Sequence, residues 1–455
     1  MNVISLFAGC GGLDLGFEIA GFNVIWANEF DSAIETTYRK NHPKTEFSNI
    51  DIRTLSSSQI PDADGIIGGP PCQAWSEGGK SLGLKDERGR LFLDYIRIVT
   101  EKRPKFFVIE NVPGILSAQH ITTFKSFLKQ LESSGYKVQF KLLDAVDFGV
   151  AQNRKRIIIV GIRNDINIKF SFPTPTSETH VTLRQAIGDL EQYEPQINNT
   201  LKSADGGSKC PIANHDVFNG TYDIKYMSRN RVRSWDEPSF TIQAQAKNEP
   251  LHPSAPKMIY VSKDQRVFAP NASYRRLSVR ECARIQSFPD DFEFFYNNVR
   301  DGYKMVGNAV PPLLSKAIAQ QIIKAFTEKS DTSEKILAVT VFPSKYNDTF
   351  ERFTQNSHDI EYYFGRFHST RKDFIEMVKN VHNFAPIIDG KITAIYKIIS
   401  FDICHRSELP HSPSNFISPN DNRIVISLTL IRQLHKPHII NNLPRGWSYQ
   451  LIPLI

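Results

Sequence analysis

A single cysteine lies in a string that can fold in few ways, Ile-Ile-Gly-Gly-Pro-Pro-Cys-Gln at residues 66–73. Two β-branched apolar residues predict a buried strand, and the paired glycines allow a sharp turn at its end. The paired prolines fix φ twice and stiffen the loop that presents the thiol. Open α/β sheets hold their ligands just past the carboxyl ends of such strands. Cys72 is therefore either an ordinary buried cysteine or a nucleophile, and three other segments favour the nucleophile.

The N-terminus predicts a site for a nucleotide-type ligand. A buried strand at residues 3–7 runs into a glycine turn at residues 8–14 and then into a helix, a geometry that holds such ligands. Asp14 stands where the dinucleotide fingerprint has its third glycine, so the spacing is not that fingerprint. A second strand ends at Glu29 and a third stretch at Asp51, where doubly wound folds hold ribose hydroxyls.

Two further strands begin or end in charged groups. The strand predicted at residues 106–109 stops at Glu110, and a carboxylate so close to an apolar strand is costly unless it is paired or used. Arg154 and Arg156 lead into the strand predicted at residues 157–161. Alternate positions of a strand point the same way, so this spacing predicts anion binding by two forked guanidiniums.

Together these segments resemble the motifs of the cytosine-5 DNA methyltransferases. The resemblance covers residues 1–326 and is closest to the HaeIII-type modification enzymes, which methylate the inner cytosine of GGCC. Six matching motifs in the family's order make a chance resemblance improbable. They lie at residues 7–12, 69–73, 110–112, 152–156, 276–289 and 307–311.

The resemblance implies covalent catalysis on the cytosine ring. Carbon 5 of cytosine is a poor nucleophile, and adding a thiolate at carbon 6 converts the ring into an enamine that attacks a methyl donor. By resemblance, Cys72 supplies the thiolate and Glu110 holds N3 and the exocyclic amine. Arg154 would support the reacting base, with Arg156 and Gln152 around the same pocket.

The methyl donor that the resemblance implies is S-adenosylmethionine, and no metal is predicted. Glu29 would bind the ribose, and Asp51 with Ile52 would hold the adenine. The other predicted donor-site residues are Phe7, Gly9, Gly12, Pro71, Leu91 and Asn308.

The substrate implied is double-stranded DNA with its target base flipped out, because carbon 5 is unreachable inside the stack. Residues 74–89 are rich in glycine, serine and basic side chains, and we expect a mobile loop that closes over the DNA. Gln73, Ser76 and Arg88 are the DNA contacts predicted in and beside this loop.

A row of arginines predicts base recognition. Arg229, Arg231 and Arg233 recur at period two, and arginine is the usual reader of guanine in the major groove. The HaeIII-type pattern has base-reading arginines at the positions of Arg229 and Arg231, and a third where this chain has Lys247. We expect GGCC as the recognition sequence; contact with phosphates alone is the other interpretation of the row.

The predicted fold is α/β, with a doubly wound, Rossmann-like catalytic domain at residues 1–172. A small, irregular target-recognition domain comes next at residues 173–272, with short strands such as 239–243, and the chain returns to the catalytic domain at 273–326. The polar stretch 327–334 is predicted to be a linker. Residues 335–455 form an unassigned α+β C-terminal extension.

The extension gives weak signals only. It holds seven of the twelve histidines, including His435 and His438, but no Cys/His spacing that supports a metal site. The triplet at residues 389–391, with Asp373 upstream, resembles an acid-acid-lysine nuclease centre, although such triplets are common by chance. Added DNA grip or partner docking is the stronger expectation.

Composition agrees with these expectations. The net charge of +7 and the pI of about 9.0 suit a polyanionic partner. Five scattered cysteines show no zinc or disulfide spacing. Without a signal peptide or a membrane-length apolar run, we expect a cytoplasmic, DNA-associated monomer whose functional partner is a cognate restriction endonuclease.

Two other function classes stay open. A tRNA cytosine-5 methyltransferase would share the Pro-Pro-Cys-Gln motif, but the large region between Arg156 and Arg275 favours DNA. A non-catalytic DNA-binding relative would be expected to lack the thiol or the acid, and the chain has both Cys72 and Glu110.

Overall fold

The computed structural model describes residues 1–71, 87–166, 168–176, 179–197, 210–327, 336–340, 359–363, 378, 381–389, 391–405, 422–439 and 449–452. The chain forms two compact units, Met1–Thr327 and Glu328–Ile455. The finer domain boundaries expected from the sequence stay predictions.

The first unit alternates strands and helices up to Arg163, and much of the chain between that residue and α6 is irregular. Its strands are β1 Asn2–Leu6, β2 Asn23–Asn28, β3 Glu46–Ser48, β4 Gly65–Gly68, β5 Phe106–Asn111, β6 Tyr136–Asp144, β7 Lys155–Arg163, β8 Gln196–Ile197, β9 Asp216–Val217, β10 Ile259–Ser262 and β11 Gln265–Val267. Its helices are α1 Gly12–Ile19, α2 Glu35–Asn41, α3 Glu87–Lys102, α4 Ile121–Ser133, α5 Leu183–Ile187, α6 Val279–Ile285, α7 Val299–Asn308 and α8 Pro312–Thr327.

One large sheet organises this unit, with strand order β3-β2-β1-β4-β5-β7-β6. The strands β1 to β5 are parallel, and β7 is antiparallel to both β5 and β6. The strand order reverses between β1 and β4. The carboxyl ends of these two strands therefore flank the crevice where doubly wound sheets bind ligands. The predicted Rossmann-like α/β fold is confirmed.

Helices cover both faces of the sheet because alternate residues of each central strand point to opposite faces. In β5, Phe107 and Ile109 belong to the core that includes α3 and α4, whereas Phe106 and Val108 belong to the core that includes α1 and α8. All four side chains are fully buried. Burial on both faces explains why these strands are continuous apolar runs in the sequence.

The last helix of the unit packs against the first. A Cβ on Gly16 of α1 would lie 2.4 Å from both the Pro312 carbonyl oxygen and the Ser315 Cβ, so only glycine allows this approach. Residues 309–311 separate α7 from α8. Two consecutive prolines at this break remove backbone donors, and the second begins α8.

Residues 173–272, the region predicted to recognise the target (below, the recognition region), have little regular structure where they are described. The strand predicted at residues 239–243 is wrong: it is reduced to one bridge between Ser239 and Gln152. Its backbone bonds instead to the segment before β7, where Ser239 N donates to Ala151 O at 2.8 Å and Asn153 N donates to Ser239 O at 3.0 Å. Two strands of two residues each, β8 and β9, form a separate parallel pair.

The second unit contains a mixed sheet in the order β13-β16-β15-β14-β12-β17. Its strands are β12 Ile336–Thr340, β13 Asp359–Tyr363, β14 Asn383–Ile387, β15 Lys391–His405, β16 Asn422–Ile439 and β17 Tyr449–Ile452. The strands β12 and β14 pair in parallel, and the other described pairs are antiparallel.

The triplet at residues 389–391 has a structural explanation. Ile388 and Lys391 exchange two backbone hydrogen bonds of 2.9 Å, which places Asp389 at the tip of the β14–β15 hairpin. Asp389 has φ 50°, as such tight turns require, and Asp-Gly is a preferred pair for them. The triplet is therefore accounted for by a turn, and Asp373 lies outside the described residues.

The described part of the chain contains no cluster of three or more His, Cys, Asp or Glu side chains that could hold a metal ion. Within the same ranges, every helix falls short of the length and apolarity that a membrane span requires.

We expect Gly307→Ala to destabilise the first unit. A Cβ there would lie 2.0 Å from the Gln243 carbonyl oxygen, a backbone atom that cannot move aside alone. Overpacking of this kind costs about 1–3 kcal/mol of unfolding free energy, which urea unfolding would measure. Gly188→Ala is the control, because its Cβ would meet only Arg184 Cγ at 3.4 Å. Equal stability of the two variants would contradict the close packing.

Candidate active site

A cavity of about 240 Å³ opens at the carboxyl ends of β1, β2 and β4. It lies at the point where the strand order reverses, the expected ligand position in this fold. Residues far apart in the chain meet there, from the first glycine turn to the end of α7. The lining includes the predicted residues Phe7, Gly9, Glu29, Pro71, Glu110 and Asn308.

The carboxylate of Glu29 is held in a fixed orientation in this cavity. Gly9 N donates to its Oε2 at 3.0 Å, and Asp31 N donates to its Oε1 at 2.9 Å. Burial raises the pKa of Glu29, and the two backbone donors partly oppose that rise. A carboxylate oriented in this way can accept hydrogen bonds from a diol such as a ribose.

The glycine turn after β1 is closely fitted. Phe7, Gly9 and Gly11 have φ of 56°, 56° and 91°. A Cβ on Gly11 would lie 2.1 Å from His42 Nε2, so this position excludes larger residues. Phe7 is the unusual member, since a non-glycine residue with positive φ is strained and such strain concentrates at ligand sites.

Glu110 and Arg156 form an ion pair beside the cavity. Arg156 Nε lies 2.7 Å from Glu110 Oε1, and both side chains are almost buried. The antiparallel pairing of β5 with β7 brings them together, because Glu110 lies opposite Ile158. The sequence predicted that both residues belong to the active site, and the structure shows that Arg156 is the cation paired with Glu110.

The Pro-Pro loop is tied to the end of β5. Asn111 Nδ2 donates to the Pro70 carbonyl at 3.2 Å, and Asn111 Oδ1 accepts from Val112 N at 2.9 Å. Pro71, the last described residue before Cys72, and Glu110 both line the cavity. The sequence analysis did not assign a role to Asn111, although it directly follows Glu110.

Arg154 and Gln152 are buried away from the cavity lining. The Arg154 guanidinium donates to the carbonyls of Ile242 at 3.0 Å, Gly307 at 2.7 Å and Ala309 at 3.0 Å. Gln152 Nε2 donates to Gln286 Oε1 at 2.7 Å, and its Oε1 accepts from Ile242 N at 3.1 Å. Together they connect the start of β7 to the recognition region and to the end of α7.

The other residues predicted to bind the methyl donor lie outside the cavity lining. Gly12 packs where a Cβ would meet the Val310 carbonyl oxygen at 2.5 Å. Asp51 is paired with Arg53, which lowers the pKa of that carboxyl. Ile52 and Leu91 belong to, or pack against, the core under α3.

Two of the other cysteines are unsuited to act as nucleophiles. Cys10 is buried, and its burial raises the pKa of its thiol to about 12. Burial and the neighbouring Glu249 carboxylate raise the pKa of Cys282. Cys72 itself lies outside the described residues, as do Gln73 and Ser76.

A family model for C-5 cytosine-specific DNA methylases matches residues 1–324. The chain belongs to this family. Its membership confirms the predicted enzyme class, a DNA cytosine-5 methyltransferase.

Relatives and solved structures agree with this assignment. The chain is 48% identical over 346 residues to Type II methyltransferase M.FnuDI of Fusobacterium nucleatum, a match covering 75% of this chain and 100% of the relative. It is 51% identical over 326 residues to Type II methyltransferase M.MthTI of Methanothermobacter thermautotrophicus, covering 71% and 97% of the two chains.

Two solved structures share the fold at low sequence identity. One is a prophage-encoded Escherichia coli protein described as a DNA modification methyltransferase, with TM-score 0.56, 24% identity, and coverage of 72% of this chain and 99% of that one. The other is the Entamoeba histolytica methyltransferase EhMeth, with TM-score 0.53, 19% identity, and coverage of 72% and 98%.

The predicted base-reading residues of this methylase differ in their surroundings. Arg229 is exposed. Arg231 donates to the carbonyls of Tyr226 at 3.0 Å and Lys225 at 3.3 Å, and Arg233 pairs with Glu237 at 3.0 Å.

Two other predicted DNA contacts lie elsewhere. Lys247 lies 3.6 Å from the Asp223 carboxylate in a second cavity. Arg88 lies in α3, whose residues 87–89 close the segment predicted to be a mobile loop; the rest of that loop is outside the described residues.

Lys304 of α7 is a residue that the sequence analysis missed. It lines both the first cavity and the second, and its Nζ lies 2.5 Å from Asp31 Oδ2. A signal was available: Lys304 precedes Asn308 by four residues on one helix, so both share a face. The ion pair ties α7 to the loop that orients Glu29.

We expect Arg154→Lys to unfold this methylase more easily. One ammonium cannot replace a fork that satisfies three buried carbonyls, and leaving such groups unpaired costs about 1–3 kcal/mol each. Thermal and urea unfolding would measure the loss. Arg184→Lys is the control, because that guanidinium lies over the Trp235 ring, 5.3 Å from its centroid, on an exposed side chain. Unchanged stability with lost methyl transfer would instead place Arg154 in the chemistry.

Proposed function

We propose that the chain transfers a methyl group from S-adenosylmethionine to carbon 5 of a cytosine flipped out of double-stranded DNA, within GGCC. We further propose that it is the modification half of a restriction-modification system. The observation that carries the proposal is one cavity lined by Glu29, Glu110 and Pro71. Glu29 can accept hydrogen bonds from a ribose, Glu110 can hold a pyrimidine, and Pro71 belongs to the loop that leads to Cys72. All three line the same cavity, as a single reaction requires.

The proposed nucleophile is the Cys72 thiolate. Its sulfur forms a bond to carbon 6 of the ring, and the electrons of the double bond between carbons 5 and 6 make carbon 5 nucleophilic. Carbon 5 takes the methyl group and then loses its proton to a base. The sulfur–carbon bond breaks, which restores the double bond and the thiolate. Burial of Cys10 and Cys282 supports giving this role to Cys72.

Glu110 is proposed to hold the flipped ring at N3 and the exocyclic amine. Glu110 in its protonated form donates a hydrogen bond to N3 and accepts one from the exocyclic amine, and the proton at N3 stabilises the negative charge that develops there as the sulfur adds to carbon 6. Arg156, 2.7 Å from Glu110, fixes the direction of the carboxylate and compensates its charge. Arg154 and Gln152 are proposed to act through position, since they hold the segments around the cavity.

The residues that line the cavity suit S-adenosylmethionine. Glu29 offers two oriented oxygens for ribose hydroxyls, and the apolar side chains of Phe7, Leu13 and Ile34 offer contact area. The carboxyl group of Glu29 also favours a cationic molecule. When bound, S-adenosylmethionine supplies an activated methyl group on a sulfonium.

The names of the relatives support the biological setting. Two relatives that share 48% and 51% sequence identity with this chain are Type II methyltransferases. The matches cover 100% and 97% of the relatives' lengths. A protective partner for a restriction endonuclease is the function that we infer from them. The family model ends at residue 324, before the extension at residues 335–455 begins, and we assign the extension no part in the chemistry.

GGCC is proposed from the arginine row. Arg229 is exposed and can present its fork to a guanine, with Arg231 beside it in the same extended segment. Lys247 offers a single-point donor where the HaeIII-type pattern has a fork.

Trapping tests the covalent step. DNA containing 5-fluorocytosine at the target blocks proton loss, so the native chain is expected to form a stable protein–DNA adduct with S-adenosylmethionine, seen on a denaturing gel. Cys72→Ser is expected to abolish the adduct while retaining DNA binding. Cys210→Ser, at a half-buried cysteine, is the matched control and should be trapped normally. An adduct with Cys72→Ser would refute the assigned nucleophile.

Mapping tests the substrate and sequence. Unmethylated DNA exposed to the pure protein and S-adenosylmethionine is expected to carry 5-methylcytosine at the inner cytosine of GGCC after bisulfite sequencing. A tRNA pool treated in parallel is expected to stay unmodified. Methylation in another DNA context would overturn the proposed specificity only, whereas modification of tRNA alone would overturn the proposed substrate.

A further inference from the structure

A two-stranded ribbon of the first unit exposes an apolar surface that the proposed reaction does not use. Among the strands that the structure describes, β10 and β11 pair with each other and with no third strand. Ile259, Tyr260, Val261 and Val267 are 44%, 62%, 51% and 39% exposed. Isolated two-stranded ribbons are marginal in water, so these side chains lack the cover that normally stabilises such a pair.

The ribbon is anchored beside the arginine row. Met258, the residue before β10, is buried, and its N–H donates to Asn230 Oδ1 at 3.0 Å. Asn230 lies between Arg229 and Arg231. Phe268, directly after β11, stacks on Tyr274 with ring centroids 4.3 Å apart. Both ends of the ribbon are therefore attached to the recognition region, one of them at Asn230, the residue after Arg229.

The charges of the ribbon suit a polyanion. Lys257 and Lys263 are exposed at its base and its tip, and Asp264 is the only acid between residues 256 and 268. The Arg266 guanidinium lies 5.2 Å from the centroid of the Tyr260 ring and so supports that ring from one side. A two-stranded ribbon of this size can enter a DNA major groove, which is about 12 Å wide.

We propose that the β10–β11 ribbon is a second DNA-contacting surface, which binds duplex flanking the sequence read by the arginine row. Lys257 and Lys263 bind phosphates, and Tyr260 and Val261 lie against the groove wall. The proposal rests on the proposed function, because it takes double-stranded DNA as the substrate.

Binding to two lengths of duplex tests the ribbon. One duplex spans the site with about one helical turn (~10 base pairs), and the other extends about one turn further on each side. For the double variant Lys257→Gln and Lys263→Gln, we expect affinity for the long duplex to fall about three- to tenfold at ~0.1 M salt. The slope of log affinity against log salt should fall by about 1.8, since each phosphate contact contributes about 0.9.

The controls separate the ribbon from general effects. The double variant Lys125→Gln and Lys129→Gln removes two exposed charges from α4 and should leave both affinities and the salt slope unchanged. Tyr260→Ser should weaken binding of the long duplex without changing the slope. Binding of the short duplex should be unaffected in every ribbon variant.

Two outcomes overturn the proposal. An unchanged salt slope on the long duplex in the lysine variant would show that the ribbon does not bind phosphates. A ribbon variant that changes the oligomeric state in sedimentation without DNA would make the ribbon an interface between two copies of the chain. If instead the unaltered protein fails to methylate either duplex, the proposed function fails, and that result is distinguishable from both.

Discussion

The buried guanidinium of Arg154 is the contact on which the rest of this architecture depends. It joins three segments distant in the chain: the start of β7, the recognition region at Ile242, and the end of α7 at Gly307 and Ala309. A buried charge is tolerated only when its donors are satisfied, so each of these carbonyls must be in place for the others to be stable. The recognition region and the large sheet are consequently held together by hydrogen bonds from one buried side chain to backbone carbonyls.

This arrangement explains why the cavity contains residues from both ends of the unit. Asn308 lies between the two carbonyls that Arg154 holds at the end of α7, and it shares the cavity with Phe7 and Gly9. The ion pair of Lys304 with Asp31 fixes the same helix to the loop that orients Glu29. A ligand bound here contacts segments that meet only after the recognition region has folded between them, so binding and the docking of the last two helices stabilise each other.

Sequence reasoning found the parts of the site that depend on strand order. Buried apolar runs ending in Glu29 and Glu110 mark the carboxyl ends of parallel strands, and those ends meet at one edge of the sheet. The partner of Glu110 could be named as a candidate, because Arg156 begins the neighbouring strand. The roles of Arg154 and Gln152 were beyond such reasoning, since a basic residue before a strand looks the same whether it binds substrate or backbone carbonyls. The ribbon was missed for a related reason: its apolar residues resemble core positions, and only the fold shows that nothing described covers them.

The contacts of the arginine row bear on how a base could be read. Arg231 uses its Nε and one terminal nitrogen to hold the turn before it, and its guanidinium lies 4.6 Å from the centroid of the Tyr226 ring. Burial and the neighbouring Arg229 lower the pKa of Arg231, although the group stays cationic at neutral pH. A guanidinium has five N–H donors, so these bonds orient the side chain while leaving donors for a guanine edge. In the proposed base-reading role, its rotamer entropy is lost on folding rather than on DNA binding, which would favour specific recognition.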